Sequence, residues 1–292
     1  MIAATRTVAS TTGLSRARRV KDRVFSVVLW TSGGLAMLPL AFIAGYVVVK
    51  GVAALNLDLF TKPPTAPGVP GGGIVQSFIG SGIMIGLAAA FSVPLGVLTG
   101  VYLAEFGERR VASMVRFVAE VLLSTPSIVA GAFIWAVVVV TLGSFSGLAG
   151  ALALTVLMWP IMARAIEEVL RLVPDEYREG ALALGVPRWK VIMRVVVPTA
   201  GAGIFTAVML AVARGLGETA PVLLTALGNN FVNVHPAQPM DAVPLRIYNY
   251  AQSPVLSLHP MAWGGAIVLL VAVLGLSIGA RIMSARQQRG IR

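Results

Sequence analysis

No cysteine occurs anywhere in the chain, which excludes disulfides and thiolate metal sites outright. Charge is nearly as scarce, since only 12% of the 292 residues are Asp, Glu, Lys or Arg. The two histidines, His235 and His259, lie in a polar stretch, each followed by proline. A lone loop histidine is more often plain surface than a ligand, so no metal site is expected. None of the four lysines follows a glycine, so the Gly-x-x-x-x-Gly-Lys-Ser/Thr phosphate loop is missing. No Ser/His/Asp, metal or paired-carboxylate constellation is visible either. An enzyme is not expected.

Apolar length is what the chain does have. Hydrophobic residues make up 57% of it, and the mean hydropathy is +0.85. A soluble domain of this size needs more polar surface, so the excess must face lipid. Six runs approach the roughly 20 residues that cross about 30 Å of hydrocarbon. They cover residues 24–49, 74–104, 118–142, 147–163, 201–227 and 263–283. Only Gly143-Ser144-Phe145-Ser146 separates the third from the fourth, which predicts a tight helical hairpin. The expected fold is all-α and polytopic. A membrane domain over 24–292 follows a basic segment, 1–23.

Arginine and lysine placement sets the expected topology. Nineteen basic residues fall on one side, in 1–23, in 109–116, in 164–194 and after residue 280. Lys50, Lys62 and Arg246 fall on the other, and Arg214 lies within a span. Both termini are therefore expected in the cytoplasm. The net charge of +11 then reflects cytoplasmic loops facing anionic lipid, and nucleic acid is not an expected partner. The first run is too long for a cleaved signal peptide and reads as a retained anchor. Two Pro- and Gly-containing stretches, 51–73 and 228–261, are expected as irregular, water-facing connections.

The segment 164–198 is the longest between spans. Asp175 and Glu176 after Pro174 mark a helix start, and Gly185 marks its end. Pro187 opens a second helix. Two readings stand here, an amphipathic connection resting on headgroups or a docking element. The run Glu179-Gly180-Ala181, with Gly185 six residues after the glutamate and Val195-x-Val197-Pro198 at its end, resembles the EAA loop of ABC importer permeases. Gly180 stands where alanine is usual. The resemblance implies that 164–198 carries a cytoplasmic coupling helix seated on a separate ATP-hydrolysing subunit. Glu179, Gly180, Ala181, Gly185 and Arg188 would make that contact. ATP and magnesium would then belong to the partner, with no cofactor on this chain.

Arg214 and Glu218 lie within the fifth run, Arg214 roughly 20 Å along it at 1.5 Å per residue. Each buried charge costs at least about 2.5–3.5 kcal/mol by insertion scales. Their i,i+4 spacing puts them on one face. They form either a structural ion pair or a substrate-pathway arginine held by its carboxylate. Gly215, Gly217 and Pro221 loosen the local helix, which membranes tolerate only beside protein or a watery cavity. Ser124, Thr125 and Ser127 around Pro126 either line a cavity or bond back to their own backbone. Glu120, four residues after Arg116, suggests a local pair, and Glu105 a helix-end cap.

Arg214-Gly-Leu-Gly-Glu218-Thr219-Ala-Pro221 resembles the signature of PstA-type phosphate permeases. Gly72-Gly73-Ile74, Pro94-Leu95-Gly96, Tyr102-Leu103-Ala104-Glu105 and Thr125-Pro126-Ser127-Ile128-Val129 resemble the same family. Together they extend the likeness from about residue 72 onward. The family implies phosphate import across the bacterial inner membrane, and Arg214, Glu218, Thr219 and Ser127 are the residues expected along the pathway. It also implies a PstC-type permease, two ATPase subunits and an extracytoplasmic phosphate-binding protein as partners. The loop alone fits an ABC permease for another oxyanion or solute equally well. A secondary anion transporter is the remaining alternative, but it leaves the loop unexplained.

Overall fold

The computed structural model describes residues 16–66, 69, 71–107 and 110–289. Arg6, Arg109, Arg292 and most of the segment 1–23 lie outside the described residues. The chain divides into two compact units, residues 1–49 and 50–292. In its described part the first unit is one helix, α1 (Arg16–Gly51), whose last residues open the second. Phe25, Trp30 and Phe42 are all exposed on it. At 100° per residue they point in three different directions, so α1 is apolar all round, as a lipid-facing helix is.

The second unit begins with α2 (Leu57–Thr61), which Asn56 caps by accepting a hydrogen bond from the Leu59 N–H at 2.9 Å. There follow α3 (Val75–Glu105), α4 (Arg110–Ser124), α5 (Ser127–Leu142) and α6 (Gly147–Arg171). Next come α7 (Asp175–Ala183), α8 (Arg188–Thr199), α9 (Gly201–Leu216) and α10 (Ala220–Ala226). The series ends with α11 (Val243–Ala251) and α12 (His259–Arg289). Among the described residues the single β-type pairing is an isolated bridge between Leu227 and Met240.

Helices α1, α3, α6 and α12 are each long and apolar enough to cross a membrane. The pairs α4–α5 and α8–α9 bend by 107° and 69° and bring the number to six if each counts as one span. The third and fifth expected runs are therefore bent helix pairs rather than continuous helices. Pro126 explains the first break, because it has no N–H to donate and turns the preceding residue out of the helical region. The expected fifth span, 201–227, stops at Leu216 and resumes as α10. The fourth runs on to Arg171 rather than residue 163, because Arg164, Glu167 and Arg171 compensate one another's charge there. The hairpin before it forms as expected, with Gly143 left-handed at φ +67° and Ser146 capping α6.

The core is the pairing of α3 with α6. Gly80, Met84, Ala88, Ser92, Gly96 and Gly100 recur every four residues on α3, and all are buried. Met158, Met162, Ile166 and Leu170 repeat at the same interval on α6. A Cβ on Gly96 would sit 2.6 Å from the Met162 side chain, and one on Gly100 would sit 2.7 Å from Ile166. The small stripe thus admits the bulky ridge at close backbone approach, which is how helices gain contact where lipid supplies no hydrophobic driving force. Trp159 Nε1 donates to Thr99 Oγ1 at 3.1 Å across the same seam.

Candidate functional site

Helix α9 ends at the charges. The Gly217 N–H closes on the Arg214 carbonyl at 3.1 Å, and the Glu218 N–H on that of Gly215 at 3.2 Å. Arg214 stands in the last turn, where a cation complements the helix dipole. Its Nε lies 3.7 Å from Glu218 Oε1, with 66% of the arginine side chain exposed against 16% of the glutamate's. Gly215 allows this end to press on α6, since a Cβ there would meet Met158 at 2.7 Å. Glu218 lines a narrow crevice with Ser81, Met84 and Ile85 of α3 and Leu154 of α6. Arg214 turns outward.

The third and fifth runs meet beside this point. A Cβ on Gly131 of α5 would lie 2.6 Å from Pro221 Cα in α10. Ser127 and Thr219 are each within about one helical turn of that contact along the chain. Both stand at helix starts that lack a side-chain cap. Ser124 and Thr125 bond back to the carbonyls of Glu120 and Val121 at 2.8 and 2.7 Å, so the backbone reading holds for those two. The Ser127 hydroxyl forms no hydrogen bond among the described residues. The structure therefore joins Arg214 to Glu218 directly, and sets Ser127 and Thr219 at the starts of the two helices that meet at Gly131 and Pro221.

The segment between α6 and α8 folds as its residues predict. α7 starts after Pro174 with Asp175 and Glu176 in its first turn. It ends in a Schellman turn, with the Val186 N–H on the Ala181 carbonyl at 3.2 Å and Gly185 on Leu182 at 2.9 Å. Gly185 takes φ +76°, the left-handed conformation that glycine allows without strain. Glu179, Gly180 and Gly185 face out, whereas Ala181 is partly buried against the core. Arg188 turns back, donating to the Glu105 carbonyl at 2.8 Å with its guanidinium 5.2 Å from the Phe106 ring centroid.

Three ionic contacts escaped sequence reasoning. Glu105 does more than end α3: its carboxylate accepts from Arg178 Nε and Nη2 at 3.2 and 3.1 Å. Arg116 does not pair with Glu120. It bonds to the buried Glu167 at 2.7 Å, which Arg171 also reaches at 2.7 Å, while Glu120 meets Arg164 at 3.5 Å. The spacing of Arg164, Glu167 and Arg171 along one helix was readable; the reach of Arg116 from another helix was not.

The third is Arg246. The stretch 228–261 is not wholly irregular, since it folds α11 with Pro244 in its first turn. Arg246 is buried there and pairs with Asp241 at 2.7 Å, also donating to Asn230 Oδ1 and the Asn229 carbonyl at 2.8 Å each. Ser77 donates to the same carboxylate from the first turns of α3. Burial pushes the Asp241 carboxyl above its ordinary range, and Arg246 pulls against that.

The family described as "Binding-protein-dependent transport system inner membrane component" matches residues 92–292. The "Phosphate transport system permease protein PstA" of Yersinia pestis is 39% identical over 93% of this chain and 92% of its own. The protein of that name from Xylella fastidiosa strain 9a5c is 46% identical over 82% of this chain and 84% of its own. Mycobacterium tuberculosis H37Rv has a "PstA 1" that is 37% identical over 94% and 92%. Among solved structures, a bacterial alginate ABC transporter chain superposes with a TM-score of 0.65 at 14% identity, covering 91% of this chain and 95% of that one. A chain of the MetNI methionine ABC transporter gives 0.54 at 18% identity over 72% and 92%. These two establish the fold alone. The family match and the sequence identity agree, and the chain belongs to the PstA family of inner-membrane permeases within the binding-protein-dependent transport systems.

Proposed function

We infer that this chain is the transmembrane subunit of an inner-membrane phosphate ABC importer and that phosphate passes beside Arg214. The first half follows from identity of 39–46% across most of the chain to PstA permeases. The second rests on one observation. Arg214 keeps 66% of its side chain exposed at a break in an apolar span, held only loosely by Glu218. A structural pair would bury both charges and satisfy them, because an exposed guanidinium in hydrocarbon is costly. An outward arginine suits a cavity shared with a second permease, where it offers a planar donor fork to a phosphate oxyanion.

That second permease is of PstC type. Two ATPase subunits bind ATP and magnesium, and one of them docks on α7, whose outward Glu179, Gly180 and Gly185 support this. Arg188, by contrast, is already turned toward α3. The α7 end and both termini face the cytoplasm, in keeping with the basic residues gathered there, and an extracytoplasmic binding protein delivers phosphate to the opposite side.

Labelled phosphate uptake tests this in cells lacking the gene, complemented with wild type or Arg214→Gln. Restoration by wild type alone, at equal membrane levels, is the expected result. Equal restoration by both would remove Arg214 from the pathway. Failure of wild type with all partners present would remove phosphate.

A further inference from the structure

Helices α6 and α8 are joined covalently to the loop that carries α7, but α3 is not. Glu105, the last residue of α3, nevertheless holds that loop. Its side chain is 6% exposed and that of Arg178 is 18% exposed. Every nitrogen of the Arg178 guanidinium is engaged within the chain. Nε and Nη2 bond to Glu105, Nη2 also to the Leu170 carbonyl at 3.0 Å, and Nη1 to the Val173 carbonyl at 2.6 Å and to Asp175 at 3.0 Å. Arg188 binds the Glu105 carbonyl from the far side of the loop. Arginines on both flanks of Gly185 therefore close on one residue of α3. At its other end α3 contributes Ser81, Met84 and Ile85 to the crevice that Glu218 lines. About 30 Å of continuous helix, with Pro94 inside it, lies between the two places, at 1.5 Å per residue.

We propose that Glu105 is a positioning residue for transport: clamped by Arg178 and Arg188, it fastens the α7 loop to α3. Displacement of the loop is then carried along α3 to the wall beside Arg214. A helix is stiff along its axis, and a nearly buried carboxylate with a fully engaged arginine does not let go without leaving a charge uncompensated. The inference rests on α7 being the coupling element, so its test must separate the two.

The assembled complex is reconstituted in liposomes with its binding protein, and phosphate uptake is read against ATP hydrolysis. Glu105→Gln is expected to lower uptake per ATP about tenfold, the scale of a lost charged hydrogen bond. Glu105→Cys with Arg178→Cys is expected to match it, and a short bifunctional maleimide bridging these two thiols is expected to restore uptake to within about twofold. The lack of native cysteine keeps the bridge specific within this chain. Wild-type coupling in Glu105→Gln, or no recovery on bridging, overturns the proposal.

Should those variants not assemble, spin labels at Leu98→Cys and Glu176→Cys leave the clamp intact. A separation that stays constant between nucleotide-free and vanadate-trapped complexes supports the clamp, and one that changes overturns it. Gly185→Ala separates the two readings. If it uncouples while Glu105→Gln does not, the clamp alone fails; if neither does, the coupling role of α7 fails with it.

Discussion

Arg214 Nε lies 3.7 Å from Glu218 Oε1 across the point where α9 stops, the arginine mostly open and the carboxylate mostly covered. Such an asymmetric pair leaves the cation free to change partners. On the reading proposed above, a phosphate oxygen approaches the open side of the guanidinium while Glu218 stays beside its Nε.

A double-mutant cycle tells this from a structural pair. Arg214→Gln is expected to lose at least about tenfold in uptake, and Glu218→Gln less, because the donor fork survives. The combined Arg214→Gln and Glu218→Gln variant should be as poor as Arg214→Gln alone. Recovery of uptake in the combined variant would mean that the charges matter only to each other.

Contact between the third and fifth runs depends on Gly131. Alanine there would put its Cβ 2.6 Å from Pro221 Cα, backbone that cannot swing aside. Gly131→Ala is expected to cost about 1–3 kcal/mol as overpacking. The thermal midpoint of the purified complex should fall, and uptake with it. An unchanged midpoint would show that α5 and α10 are not held as tightly as described.

At Gly185 space is not the issue, since no atom lies within 4 Å of a would-be Cβ. The cost of Gly185→Ala is conformational, about 1–2 kcal/mol for an L-residue held at φ +76°. Asparagine tolerates that conformation better, so Gly185→Asn should retain more uptake per ATP than Gly185→Ala. The reverse order would point to contact with a partner rather than turn geometry.

Arg246→Met removes the partner of a buried carboxylate. The expected loss is about 3–5 kcal/mol, read as a lower thermal midpoint of the complex. Asp241→Asn combined with Arg246→Met should recover part of that loss. If the single variant is as stable as wild type, the pair contributes nothing to holding α11 against α3.

The apolar runs, the loop after α6 and the placing of a charge pair inside the fifth run were legible in the order of residues. These depend on local quantities: apolar run length, proline and glycine punctuation, and i,i+4 spacing. Arg164, Glu167 and Arg171 also lie on one helix, and their spacing explains why α6 outlasts its apolar run. The breaks were legible only in part. Pro126 and Pro221 marked weak points, but neither the 107° bend at the first nor the contact of Gly131 with Pro221 could be read from spacing.

Sequence by itself determined that this chain crosses a membrane, carries no nucleotide loop and keeps an arginine among apolar residues. Composition and short-range spacing are enough for that, because lipid admits few backbone solutions. Tertiary structure alone decided which charges pair across helices: Arg116 with Glu167 and Arg178 with Glu105. It also decided that Arg214 faces outward. Partners 51 and 73 residues apart leave no periodic trace, because a salt bridge between helices is set by how the helices pack.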